Sequence, residues 1–251
     1  MLTVDLNCDM GEALGIYPMP NDDILMDHIS SANIACGFHA GGPEIMEYTV
    51  RSAIKKGVAI GAHPGLPDLE NFGRLEMKVS PAEAYQMTFY QVGTLNGFVK
   101  AADGKLHHVK PHGALYNMAA RDAALAKAIA DAVHDFDPSL ILYALAGSQM
   151  IFAAEAIGLR TASEVFADRT YQDDGSLTPR SQAGALINDE EKAINQVLQM
   201  INQQQVISLN NKIIPLKAET ICLHSDGVNA IGFARLIHGK LKSEGIEIKA
   251  P

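Results

Sequence analysis

The sequence has no cluster of Lys and Arg, no paired set of cysteines and no long apolar run, and each absence removes a class of function. Formal net charge is −9 over 251 residues, and nucleic acid or an anionic membrane as partner would need basic residues gathered on one face. The three cysteines, Cys8, Cys36 and Cys222, are odd in number and each lies in an apolar run. They read as reduced thiols of a cytosolic protein rather than a disulfide framework. The N-terminus shows no basic-then-apolar leader, and apolar runs fall far short of the ~20 residues that span a bilayer. A soluble cytoplasmic protein is expected. Two nucleotide cradles, GxxxxGK[ST] and GxGxxG after a strand, are also missing, as are HExxH and CxxC.

What remains is ordinary globular composition, 47% hydrophobic and 20% charged, in a chain long enough for a large single core. Short β-like runs alternate with helical stretches throughout. The runs are 2–8, 32–38, 58–62, 105–111, 140–146, 159–165 and 220–223. Pro43 after Gly41-Gly42 opens a helix to about Lys56. Ser80-Pro81-Ala82-Glu83 reads as a capping box for a helix to about Lys100. Further helices are expected over 122–135, 148–157, from 188 with its acids at the N-terminus, and over 228–242. This alternation implies parallel strands joined by right-handed crossovers, which a closed barrel and an open doubly wound sheet both satisfy. No linker or repeat interrupts it, so one domain over 1–251 is expected. Residues 166–186 form a long polar stretch of the kind that serves as a lid or binding loop.

Strand parity locates the chemistry, because alternate side chains face opposite sides. Asp5, Asn7 and Asp9 share one face of the first run. Asn33 and His39 fall on one parity of the second run, Gly61 and His63 on one of the third, and His108, Lys110 and His112 on one of the fourth. Glu164 and Asp168 follow in the sixth, and Cys222, His224 and Asp226 in the seventh; only the fifth lacks a polar end. Buried parallel strands normally read as continuous apolar runs, and an unpaired buried charge costs several kcal/mol. Repetition in six strands implies that these groups meet at the strands' C-terminal ends, where parallel β/α folds place their sites.

Each residue also has a plainer reading. Asp9 and Glu12 could cap the turn after the first strand, and His39 and His63 could be satisfied loop histidines. Glu164, Asp168 and Arg169 could form a structural ion network, and Asp226 could cap the last helix. Lys110 and His112, either side of Pro111, are harder to place without a functional role. Imidazoles and carboxylates at strand ends suit Zn, Mn or Fe, yet His108 and His112 would lie roughly 13 Å apart in an extended strand. They could share an ion only if the strand broke at Pro111, so a metal stays open. The turn from Gly37 to Gly42 could offer free amides to an anion at Gly41, or could mark close backbone packing.

Asp5-Leu6-Asn7-Cys8-Asp9-Met10-Gly11-Glu12, Ser31 to Gly41, Ile60-Gly61-Ala62-His63-Pro64 and Phe72-Gly73-Arg74 together resemble the LamB/YcsF family. The likeness continues through Val109-Lys110-Pro111-His112-Gly113, 164–169 and Pro179-Arg180-Ser181, and so spans nearly the whole chain. Ser225 departs from it, standing where glycine would be expected. The resemblance implies a seven-stranded parallel β/α barrel related to the polysaccharide deacetylases. It also implies one component of an ATP-dependent 5-oxoprolinase, which opens the lactam 5-oxo-L-proline to L-glutamate with ATP, and Mg, as co-substrate beside separate B and C subunits. On that reading Asp9, Glu12 or Glu164 supplies a base, His39, His63 and His112 carry protons, and Lys110 and Arg169 offset phosphate or oxyanion charge. Arg180 would hold the substrate carboxylate, with Asn7, Gly41, Asp168, His224 and Asp226 as further binding residues. A stand-alone metal-dependent amidohydrolase or deacetylase, and a non-catalytic substrate-binding component, are the alternatives.

Overall fold

A computed structural model describes residues 2–13, 21–223 and 230–251. Seven parallel strands close into a barrel: β1 (Thr3–Met10), β2 (Ser31–Ala35), β3 (Ala59–His63), β4 (Leu106–Val109), β5 (Ile141–Leu145), β6 (Arg160–Phe166) and β9 (Thr220–Leu223), with β9 pairing back onto β1. A short antiparallel hairpin, β7 (Gln205–Ile207) with β8 (Ile213–Pro215), precedes β9, and β10 (Glu247–Ile248) adds to the start of β1. The hairpin and β10 carry no clear signal in the sequence. Closure decides between barrel and open sheet, which periodicity alone could not.

The helices α1 (Asp22–Leu25), α2 (Pro43–Lys56), α3 (Pro81–Ala101), α4 (Gly113–Arg121), α5 (Ala123–Phe136), α6 (Gln149–Ala156), α7 (Glu190–Gln203) and α8 (Ala230–Ser243) follow or separate the strands. Local chemistry sets their starts. Ser80 and Glu83 form the expected capping box of α3, Asp122 accepts from Ala124 N–H and Leu125 N–H at α5, and Asp189 accepts from Lys192 N–H at α7. Among the described residues no helix is long and apolar enough to cross a membrane.

Outward-facing Val4, Leu6, Cys8, Ile34, Ile60, Val109, Leu142 and Val165 are buried against the helices. The barrel interior differs. Ile141, Tyr143 and Ala162 make a small apolar plug, and the rest of the lumen is polar. Asp5 accepts from Ser30 Oγ (2.6 Å), Ser31 Oγ (2.8 Å) and Thr220 Oγ1 (2.5 Å) near the base. Above it Asn7 donates to Thr220 Oγ1 (2.7 Å) and Asn33 donates to Asn7 Oδ1 (2.8 Å). His108 donates from Nε2 to Asn33 Oδ1 (2.8 Å) and stacks on Tyr143 at 4.0 Å. A Cβ on Gly61 would lie 2.0 Å from His108 Nε2, so glycine in β3 is what admits that ring.

Candidate active site

The polar column ends at the C-terminal mouth, in a cleft of about 840 Å³ lined by Asp9, His63, Lys110, His112, Phe166 and Arg169 among others. Lys110 is buried at its floor. Its ammonium lies 2.9 Å from Asp9 Oδ1, 2.8 Å from Glu164 Oε1, 3.1 Å from Asn7 Oδ1 and 3.2 Å from Cys222 Sγ. Burial alone would lower the Lys110 pKa, but Asp9 and Glu164 outweigh it and hold the group well above its ordinary value. Burial likewise opposes charge on Asp9, and His63 and Lys110 reverse the outcome, holding its carboxyl well below the usual range. Glu164 also accepts from the Tyr116 hydroxyl (2.6 Å), one turn into α4.

Beside this pair, Glu12, His39, His63 and His112 converge, all four buried, with one ligand atom from each within 4.8 Å of the others. Glu12 Oε1 lies 3.2 Å from His39 Nε2, 3.3 Å from His112 Nδ1 and 3.9 Å from His63 Nε2. The backbone fixes two tautomers. His63 Nδ1–H donates to the Lys110 carbonyl (2.7 Å), and His112 Nε2–H donates to the Phe72 carbonyl (2.8 Å). The remaining atoms, His63 Nε2 and His112 Nδ1, face each other at 2.9 Å with a lone pair each. Two acceptors at that separation repel unless a cation or proton lies between them. Burial, reinforced by His63, pushes His112 down to about 3, and burial with His112 and His63 beside it pushes His39 well below its ordinary value. Three imidazoles and a carboxylate, with His63 and His112 anchored on backbone carbonyls through their second nitrogens, are the donor set of a divalent cation. These residues fit a metal.

Local backbone makes the convergence possible. β4 ends at Val109, and after Pro111 the chain turns so that His112 joins His63 while His108 stays in the lumen. The strand therefore does break at Pro111, but the i, i+4 pair does not converge: His108 bonds to Asn33 and His112 to the Glu12 cluster. Phe72 and Gly73 both take positive φ (56° and 65°), which presents the Phe72 carbonyl to His112. A Cβ on Gly73 would meet His39 Cβ at 2.7 Å and His112 Cδ2 at 2.9 Å.

Asp9, Glu12, His39, His63, Lys110, His112 and Glu164 are thus brought together. Asn7, expected among the binding residues, lies below the cleft surface, fully buried and bonded to Thr220, Asn33 and Lys110. The Gly41 amide donates to the Ala13 carbonyl (3.2 Å), and a Cβ on Gly41 would lie 2.7 Å from the Gly11 carbonyl oxygen, which favours close packing over an anion cradle. Arg169 and Arg180 line the cleft, Arg169 buried and Arg180 exposed. Asp168 stands beside Arg169 outside the lining. His224 and Asp226 lie outside the described residues. The 166–186 stretch is pinned, not loose: Arg169 pairs with Leu186, Tyr171 pairs with Leu177, and the buried Tyr171 hydroxyl accepts from Phe166 N–H at 2.8 Å. Strand parity misses Tyr116, whose only signal is its place one helical turn beyond His112, and Tyr143, hidden in the strand with no polar end.

The LamB/YcsF family model matches residues 4–251. The A subunit of 5-oxoprolinase from Tolumonas auensis is 60% identical, with 100% of both chains covered, and its counterpart from Bacillus subtilis is 54% identical, covering 100% of this chain and 97% of the relative. The crystal structure of a lactam utilization protein from Thermus thermophilus superposes with a TM-score of 0.93 at 44% identity, over 100% of both chains. T48 deacetylase, at TM-score 0.52 and 13% identity over 98% of this chain and 87% of that one, shares the fold alone. The chain belongs to the LamB/YcsF family.

Proposed function

We propose that this chain is the lactam-opening component of an ATP-dependent 5-oxoprolinase, converting 5-oxo-L-proline to L-glutamate with separate B and C subunits. The observation that carries the reading is a cleft lined by Asp9, His63, Lys110 and His112, with Glu164 paired to Lys110 beneath it and Glu12 and His39 buried against His63 and His112. The names of full-length relatives at 54% and 60% identity supply the substrate.

A five-membered lactam is a resonance-stabilised amide and a poor electrophile. Transfer of the ATP γ-phosphoryl group to the lactam oxygen, releasing ADP, makes the ring carbon electrophilic. Water then adds to that carbon and loses a proton; the C–N bond breaks as nitrogen gains one. A second water cleaves the resulting acyl phosphate to the carboxylate and phosphate. Asp9, ionised at neutral pH, accepts the proton of the attacking water. Lys110, held in its charged form by Asp9 and Glu164, faces the negative charge that develops on oxygen. Asn7, Glu164 and Tyr116 keep Lys110 in place. Glu12, His39, His63 and His112 would hold a divalent cation, which when bound supplies Lewis acidity and acidifies water.

The test is turnover of 5-oxoproline by the purified chain and by the chain with partner subunits, each with and without ATP and Mg. Glutamate formation only with ATP and all partners supports the reading. The buried donor set favours one other activity, ATP-independent metal-assisted amide hydrolysis. Turnover by the chain alone, abolished by a chelator and indifferent to ATP, would establish that instead.

A further inference from the structure

The proposed substrate carries an α-carboxylate, and the ammonium of the reacting cluster, Lys110, is already paired with Asp9 and Glu164. A separate group of donors lines the same cleft. β5 and β6 are neighbours, joined at their ends by Ala146 N–H donating to the Glu164 carbonyl (3.0 Å). Beyond β5 the chain turns at Gly147, with φ +74°, and Ser148 occupies the N-cap of α6. Ser148 is only 5% exposed, yet its hydroxyl has no partner and makes no cap bond. The first-turn amides of Gln149, Met150 and Ile151 have no intrahelical acceptor, and the helix dipole makes that end electropositive. Beyond β6, Arg169 is 6% exposed; Nη2 donates to the Thr178 carbonyl (2.6 Å), while buried Nε donates to nothing.

Ser148 and Arg169 line the same cleft as Lys110. The Phe166 ring lines this cleft too, its centroid 5.7 Å from Lys110 Nζ. A cleft that offers an ammonium, an aromatic ring and unpartnered donors has the groups to meet a small ring whose lactam carbonyl carbon and carboxylate-bearing carbon both flank the ring nitrogen. A buried hydroxyl and a buried guanidinium nitrogen left without acceptors each carry a desolvation cost that an anion would relieve.

We propose that Ser148, the N-terminal amides of α6 and Arg169 form a carboxylate subsite that selects α-carboxylated lactams. This rests on the lactam-opening reading and moves the carboxylate contact from exposed Arg180 to the buried wall of the cleft.

The test is calorimetric titration of the full chain with four probes: 5-oxo-L-proline, 2-pyrrolidinone (the same ring without the carboxylate), cyclopentanecarboxylate (the carboxylate without the lactam) and inorganic phosphate. Wild type should bind 5-oxo-L-proline at least about tenfold more tightly than 2-pyrrolidinone, the range expected for charge-assisted hydrogen bonds. Ser148→Ala breaks no cap bond, so α6 should be unperturbed while that preference narrows several-fold. Arg169→Lys keeps the charge but loses the fork and should narrow it further. In the assembled complex both variants should raise KM more than they lower kcat. Equal wild-type affinity for the two lactams, preferences unchanged in both variants, or phosphate binding more tightly than either carboxylate would overturn the subsite. If cyclopentanecarboxylate binds in a Ser148- and Arg169-dependent way but 5-oxo-L-proline is not turned over, the subsite stands and the lactam reading falls. If 5-oxo-L-proline is turned over with unchanged KM in both variants, the reverse holds.

Discussion

At the residue scale the site is a set of incompatibilities that a cation resolves. His63 and His112 each use one ring nitrogen on a backbone carbonyl and turn the other on its neighbour 2.9 Å away. Titration with Zn²⁺ or Mn²⁺ followed by elemental analysis should find one ion per chain. His112→Ala should weaken it by more than the roughly 10–100-fold that loss of an outer-shell partner costs. Lys110 is a different case, because it neutralises Asp9 and Glu164 at the floor of the cleft. Lys110→Met should abolish turnover and destabilise the fold by about 3–5 kcal/mol in denaturant unfolding, since two buried carboxylates lose their counter-charge. Asp22 offers a pH test outside the ligand set itself. It accepts from Gly11 N–H at 2.8 Å, and burial raises its pKa to about 6 from 3.8. The folded state therefore holds the proton more tightly than the unfolded one, so this group favours folding below pH ~4 and loses that contribution as pH rises to ~6. Asp22→Asn keeps the acceptor and removes the charge. The variant should be more stable than wild type at pH 7, with the difference shrinking towards pH 4 in thermal melts.

At the scale of elements, strands carry most of the readable information and loops the least. The parity of β1, β3 and β4 sets Asn7, Asp9, His63 and Lys110 on inward faces, because a period of two survives whatever the sheet later does. Caps are equally local: Ser80 and Glu83 specify the start of α3 without reference to anything distant. What parity cannot give is closure, which depends on β9 returning to β1, or the direction the chain takes after a strand ends. Glu12, His39 and His112 all lie beyond their strands, and their meeting depends on turns such as Phe72-Gly73 rather than on any periodic signal. The short helix α4 escapes notice because its first residue, Gly113, is a helix breaker by propensity. Two substitutions separate these roles. Gly73→Ala forces a side chain into left-handed backbone, costing about 1–2 kcal/mol before any clash, and presses on His39 and His112. It should lower both stability and metal affinity. Ser80→Ala removes only a cap and should cost about 1 kcal/mol while metal affinity is unchanged.

At the scale of the whole molecule the barrel acts as a scaffold with a polar lumen. Asp5, Asn7, Asn33, His108 and Thr220 form a connected column from base to mouth, so the charged groups at the mouth rest on hydrogen-bonded neighbours. Removing one member of such a column leaves its buried partner without a hydrogen bond, so substitutions beneath the mouth should be costly. The central claim is that this mouth performs the chemistry within the assembled enzyme, and Asp9 tests it most directly. Asp9→Asn preserves the size of the side chain and an acceptor for Lys110 and Asn33 while removing the base. The decisive measurement is the ATP-dependent rate of glutamate formation by the complete complex built with this variant, its assembly verified by gel filtration. A fall of at least about 10²-fold, the usual contribution of a positioned base, is predicted; a rate within a few-fold of wild type would contradict the account.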